Sequence, residues 1–216
     1  LAVALAGRGD VWRGASGAKP RTEASGFTAL DTQLPGGGWP LGALSELLLD
    51  AEGVGELQLV LPLLARLTQA NRHVALVAPP HIPYAPALAQ AGLVLARVVV
   101  VDSHRSEGVW AAEQLLRCSA YGAVLAWTPQ LREAESRRLQ LAAENSGNIG
   151  LIYRPTHALG AASVAALRLR LRRRDERLEI EILKARGGLA GKRFFADDMS
   201  LAGTSVAARL PAASLV

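Results

Sequence analysis

Cysteine is all but absent: Cys118 is the single thiol in 216 residues. One thiol cannot close an internal disulfide, so nothing in the sequence calls for an oxidising compartment. Long apolar runs are missing as well; none reaches the about 18 to 20 residues that carry a helix across a bilayer, and no membrane partner is expected. The apolar start, LAVALAG, is short and has no basic residues before it, so it is not read as a signal peptide. Lysine is scarce: of 24 Lys and Arg, only Lys19, Lys184 and Lys192 are lysine. The net charge of +5 therefore rests on arginine, which permits polyanion binding without requiring it. The histidines at 73, 81, 104 and 157 are far apart, with none of the i, i+4 spacing of a helical zinc site. No G-x-S-x-G elbow occurs and Ser103-His104 has no visible third member, so serine-hydrolase chemistry is not indicated.

What is present is a globular composition, half apolar and a fifth charged, of a length that suits one ordinary domain with appendages. The chain divides into an N-terminal arm or linker (1–26), a core domain (27–195) and a C-terminal tail (196–216). In the arm, Trp12 beside Val11 is a candidate anchor for a partner, since an exposed Trp often fills an interface pocket. The core is organised around residues 27–60. A glycine-rich turn (Gly36, Gly37, Gly38) leads into an apolar strand at 44–49, a small-residue loop at 50–55 and a helix running from about 56 to 71.

Strand, loop and helix in that order is the plan of a phosphate-binding P-loop. Its consensus, G-x-x-x-x-G-K-[ST], cradles phosphates on backbone N–H groups, with a Lys on the phosphate oxygens and a hydroxyl on Mg²⁺. Here Asp50 stands at the first glycine, Gly55 at the second, Glu56 at the lysine and Leu57 at the hydroxyl, with Gly53 inside the loop. A carboxylate facing phosphate at ~4 Å is repelled by about 4 kcal/mol at an effective dielectric of 20. The motif is a degenerate one. Glu56, with Asp50, is expected to fill the nest that phosphate would otherwise occupy, or else to be a solvated helix-start residue.

Short apolar runs at 73–78, 98–101, 123–127 and 150–153 alternate with helical patterns at 85–91, 107–119 and 133–144, which predicts βαβ units and a mostly parallel sheet. Trp110 falls among the apolar positions of its helix and reads as core. Pro79, Pro80, Pro83 and Pro86 make a rigid connection. The strict alternation of ALRLRLR (166–172) and LEIEIL (178–183) predicts a β-hairpin. Leu167, Leu169 and Leu171 would face inward, with Arg168, Arg170 and Arg172 opposite Glu179 and Glu181 on a salt-bridged outer face. Lys184, Arg186, Lys192 and Arg193 cluster among glycines as candidate contacts for a polyanion or an acidic partner, against a solvated loop as the plain reading.

The order of elements, with FTALDTQLPGGGWPLGALSELLLDAEGVGE, VALVAPPH, GAVLAW and LKARGGLAGKRFFADDM, resembles the nucleotide-binding core of RecA-type recombinases. More specifically, LPGGGWPLGALSELLLD, GVGELQLVLPLLARL, VALVAPPHIPYAPALAQAG, WAAEQLLR, RRLQLAAE and EILKARGG, within residues 27–190, are similar to the ImuA family. These are bacterial RecA-like accessory proteins of damage-inducible mutagenesis, sometimes labelled SulA-like. The resemblance implies an α/β fold: a RecA-like doubly wound, mostly parallel sheet with a C-terminal β-hairpin and helices on both faces. It implies a non-catalytic accessory of translesion DNA synthesis, cytoplasmic and nucleoid-associated. Its implied partners are a polymerase-like translesion subunit and RecA, with a second copy of the chain, and DNA contacted directly or indirectly, as further candidates.

Carried over residue by residue, RecA's engine is missing. Besides Glu56 and Leu57, the catalytic glutamate after the second strand falls on Pro80, with His81 beside it, and the aspartate of the third falls on Trp127. Only Lys184 and Arg186, matching a late basic pair, retain their charge. No catalytic residue, metal or cofactor is therefore expected. Two alternatives stand beside the translesion reading. One is a DNA-stimulated ATPase with an atypical P-loop, for which ATP would be the cofactor. The other is a cell-division inhibitor of the SulA type that binds a tubulin-like polymer.

Overall fold

A computed structural model describes residues 20–196 apart from 104, 176 and 189. Trp12 with most of the arm, His104 and nearly all of the tail lie outside the described residues. The chain enters through a small ladder, β1 (Thr22–Glu23) antiparallel to β2 (Trp39–Pro40), with α1 (Thr28–Asp31) between them. A Cβ at Gly38 would run into the carbonyl of Glu23, so this close approach needs glycine.

The next strand, β3 (Ala43–Leu49), is buried at all seven positions. Burial on both faces is what a near-continuous apolar run specifies, and it places β3 inside a sheet rather than at an edge. After α2 (Leu61–Gln69) come β4 (His73–Val77), α3 (Ala85–Gln90), β5 (Val98–Val101), α4 (Arg105–Arg117), β6 (Tyr121–Trp127), α5 (Glu133–Ser146) and β7 (Ile149–Pro155). Three strands close the described chain: β8 (Leu167–Arg174), β9 (Arg177–Ala185) and β10 (Arg193–Phe195). They assemble into one eight-stranded sheet of order β10-β9-β8-β3-β7-β6-β4-β5. From β8 to β5 neighbours are parallel, and β8–β9 and β9–β10 are antiparallel.

Period-two alternation sends side chains to two cores. Leu47, Leu49, Val74, Leu76, Leu125, Tyr153, Leu169 and Ile180 pack with Leu63 and Leu64 of α2 on one face. Leu44, Ala75, Val77, Val124 and Ile152 pack with Val109, Ala112 and Leu116 of α4 and with Leu139 and Ala143 of α5 on the other. The two helices on that second face are locked by one buried carboxylate: Glu113 accepts from Arg117 at 2.6 Å and from Arg138 at 3.0 Å. Gly147 ends α5 in the left-handed conformation, its N–H returning to the Ala143 carbonyl.

Several expectations change. The RecA-like, doubly wound P-loop fold gives way to an α/β fold on a mixed sheet, with a strand β10 that the glycines around it concealed. The loop after β3 is not a phosphate loop feeding straight into a helix. Residues 51–60 form successive turns and α2 starts at Leu61, because the Glu56 carboxylate folds back on the loop. Trp110 is not core: α4 buries Val109 and Ala112 instead and leaves Trp110 64% exposed. Arg193 belongs to β10, paired with Glu181, rather than to a loose basic loop. Among the described residues no helix is long and apolar enough to cross a membrane.

At the centre of the sheet, Glu46 on β3 is 1% exposed and meets two guanidinium groups. Its Oε2 accepts from Arg168 of β8 at 2.8 Å and its Oε1 from Arg154 of β7 at 3.5 Å. Arg168 also donates to the Ala158 carbonyl at 3.1 Å. Removing the carboxylate leaves two buried cations without a counter-charge, a change that typically costs about 3–5 kcal/mol. Glu46→Ala is accordingly expected to lose that much unfolding free energy in urea, with the denaturant slope unchanged.

Candidate functional site

Parallel strands β3, β4, β6 and β7 deliver their following loops to one edge of the sheet, the place where α/β folds build sites. The loop after β3 is held at its root. Asp50 donates its N–H to the Leu171 carbonyl, and its carboxylate takes a two-pronged pair from Arg170, at 2.9 and 3.2 Å. Asp50 is thereby committed to the hairpin, not to the nest. Gly53 and Gly55 follow with φ of 74° and 106°, which only glycine adopts without strain. Their N–H groups both donate to the carboxylate of Glu56, at 3.4 Å from Gly53 and 3.2 Å from Gly55. Glu56 is 6% exposed. Two backbone donors that could cradle an oxyanion are satisfied by the chain's own side chain.

The space beside this turn is filled by aromatic rings. Trp127, at the end of β6, stacks on Tyr153 of β7 with centroids 4.5 Å apart. The Tyr153 hydroxyl donates to the Glu56 carbonyl at 3.5 Å. Burial, with the Glu56 carboxylate adding to it, raises the Tyr153 phenol well above the usual tyrosine range. Among the described residues no cluster of His, Cys, Asp and Glu offers three metal ligands.

The loop after β4 has a different character. Ala78 takes a φ of 49°, a strained value for a residue with a Cβ, while its N–H is held by the Val101 carbonyl at 2.8 Å. That turn throws the chain outward into Pro79-Pro80-His81-Ile82-Pro83-Tyr84. Ile82 is 92% exposed and Tyr84 72%. His81 reaches Glu52 of the preceding loop at 3.9 Å, tying the two loops together weakly, since both side chains are well exposed. The result is a proline-stiffened tip that presents two large apolar side chains to solvent.

The late basic residues do not converge. Lys184 donates to the Ser163 carbonyl at 2.9 Å, and burial, then Arg186 and Arg168, lower its pKa. Lys192 donates to Gln33 at 2.7 Å, and Arg193 pairs with Glu181 at 2.7 Å. Arg186 is exposed and lines a cleft of about 180 Å³ with Arg21 and Pro35, beside the start of β3 and at the opposite end of that strand from Glu56. The hairpin arginines are consumed by acids: Arg168 by Glu46, Arg170 by Asp50 and Arg172 by Glu179. The charged face is salt-bridged but not an outer one throughout, since Arg168, Glu179 and Glu181 are buried, and Asp50 takes Arg170 where Glu181 stands opposite in register.

A family model described as cell division inhibitor SulA matches residues 42–150. The chain belongs to the SulA family. Among relatives, a cell division inhibitor SulA from Edwardsiella piscicida is 33% identical over 103 residues, 47% of this chain and 61% of the relative. One from Serratia proteamaculans is 34% identical over 115 residues, 53% of this chain and 68% of the relative. The match thus spans three-fifths to two-thirds of these relatives' own length. A crystal structure of SulA from Pseudomonas aeruginosa aligns with 51% of this chain and 97% of that one, at 25% identity and a TM-score of 0.44.

SulA membership overturns the ImuA assignment, and with it the translesion and DNA-repair function and the polymerase-like and RecA partners. Part of the sequence that carried those expectations is core, although VALVAPPHIPYAPALAQAG also spans the exposed Ile82 and Tyr84 and WAAEQLLR opens on the exposed Trp110. LSELLL is β3 and VALV is β4, buried at every position, and such residues report packing while being silent about partners. Of the large exposed apolar side chains, Ile82 and Tyr84 carry no expectation from the sequence and Trp110 reads there as core. The signal for the first two was present: apolar residues placed between prolines, where no regular element could bury them.

The Tyr153 shift carries a sign. The folded state holds the phenol proton more tightly than the unfolded chain, whose tyrosines titrate near 10. Stability from this source is full below about pH 10 and falls as pH rises beyond it. Alkaline titration is expected to show phenolate absorbance from Tyr153 only together with unfolding, and Tyr153→Phe to remove that part of the alkaline loss.

Proposed function

We propose that this protein is a cell-division inhibitor of the SulA type, a non-catalytic binding protein that acts on a tubulin-like division polymer. The observation that carries the reading is the tip at 79–84, which falls inside the family-matched span and exposes Ile82 and Tyr84. An apolar pair on a loop stiffened by Pro79, Pro80 and Pro83 loses little conformational entropy on docking, which favours affinity from a small contact. Aromatic and aliphatic anchors of this kind concentrate binding energy in interfaces.

A non-enzymatic role is supported by what fills the loop edge. The turn that could hold phosphate holds Glu56, and Trp127 and Tyr153 occupy the neighbouring volume. No nucleotide or other cofactor is part of the proposed mechanism, and inhibition by this route is stoichiometric rather than catalytic. The damage-response setting is common to this reading and the discarded one. A cytoplasmic location goes with the division target, while nucleoid association had its support only in the translesion reading.

Expression of the chain in dividing cells is expected to produce filaments without DNA damage. Ile82→Asp, which places a charge at the tip, is expected to abolish filamentation at equal protein level. Because Ile82 is almost fully exposed, the substitution should change unfolding free energy by no more than about 0.5 kcal/mol. Filamentation that persists undiminished in Ile82→Asp and Tyr84→Ala together would remove the tip from the mechanism.

A further inference from the structure

The Gly53 and Gly55 N–H groups meet a single carboxylate, and the carboxylate is supplied from within the same turn. We propose that this turn is an oxyanion site closed by its own side chain, and that neutralising Glu56 opens it to tetrahedral oxyanions such as inorganic phosphate. The inference stands apart from the division-inhibitor reading: it concerns the chemistry of the loop after β3 and needs no partner protein.

Three observations carry it. Positive φ at Gly53 and Gly55 turns the two amides toward one acceptor, the arrangement by which a short backbone concavity binds anions. The acceptor is a carboxylate only 6% exposed, so it meets both glycine amides from the buried side of the turn. The tether is short, with the donors three residues and one residue from Glu56, which gives the carboxylate a local concentration far above that of free anions. Free phosphate therefore loses to Glu56 twice, by that concentration and by like-charge repulsion.

Replacing Glu56 with Gln keeps the side chain's length and its tether but removes the charge and one of the two acceptor oxygens, so the repulsion of free anions is lost and one glycine amide loses its acceptor. Arg170, at the root of the loop, is already engaged with Asp50. The opened site therefore relies on backbone donors and selects a small, doubly accepting anion rather than a nucleotide base.

The test follows the amide resonances of Gly53 and Gly55 in the full chain during titration with inorganic phosphate, with chloride at equal ionic strength as control. In Glu56→Gln both amides are expected to move saturably with a millimolar midpoint, at least about tenfold lower than any response of the wild type, in line with the lost negative charge. Unmoved amides in a folded Glu56→Gln protein, or a wild-type titration equal to the variant's, would overturn the proposal. Should Glu56→Gln fail to fold, hydrogen exchange of the wild type decides. Protection of the Gly53 and Gly55 amides supports a closed nest, and exchange at open-loop rates refutes it.

Discussion

A buried carboxylate between two arginines ties the sheet together. Glu46 stands on β3, an interior strand of the main sheet, and it joins β7 on one side to β8 on the other. Placing three charged groups in an interior is costly unless each is paired, and hydrophobic replacements of such triads are often as stable. Its value here is placement. An apolar residue at position 46 would pack equally well in several registers, whereas a carboxylate that must meet Arg154 and Arg168 fixes β3 against both partners. That register sets where β3 ends, and hence where Asp50 meets Arg170 and the loop carrying Gly53, Gly55 and Glu56 begins.

From that point the loop edge divides into two chemistries. Near β3 the polar groups are satisfied internally: Asp50 by Arg170, and the two glycine amides by Glu56. The Trp127–Tyr153 stack fills the adjoining space. Beyond β4 the reverse holds, with Ile82 and Tyr84 left uncovered on a strained, proline-rich loop. A site that handled a small polar ligand would leave donors free and keep apolar side chains covered. The loops after β3 and β4 do the opposite, which suits contact with another protein, while at the end of β6 the buried Trp127 Nε1 and Thr128 Oγ1 have no hydrogen-bond partner.

Much of the architecture was legible in the sequence because it follows from periodicity. The buried strands β3, β4, β6 and β7 are apolar runs, and the β8–β9 hairpin is a strict alternation of Leu or Ile with Arg or Glu. What escaped depended on contacts between distant residues. The helix predicted from Glu56 starts at Leu61, since a helical first turn would have left the Gly53 and Gly55 amides without the carboxylate. Trp110 is one residue from Val109 and two from Ala112, so when α4 buries those two and carries Glu113 to Arg138, the indole falls on another face and points outward. The proposal that Glu56 occupies the nest came from a single residue in a known loop pattern; the role of Asp50 could not, because Arg170 lies 120 residues away. The relation to SulA was legible in the same stretches and the ImuA assignment was not, since core residues report a shared pattern of burial and are silent about partners.

The central claim is that the chain inhibits a tubulin-like division protein by binding it. The most direct measurement is sedimentation of that protein's GTP-induced polymer with increasing amounts of this chain and no ATP present. Polymer mass should fall in proportion to added chain and vanish near equimolar ratio, with Ile82→Asp inert in the same assay. Polymer mass that stays constant at several-fold molar excess of natively folded chain would contradict the account.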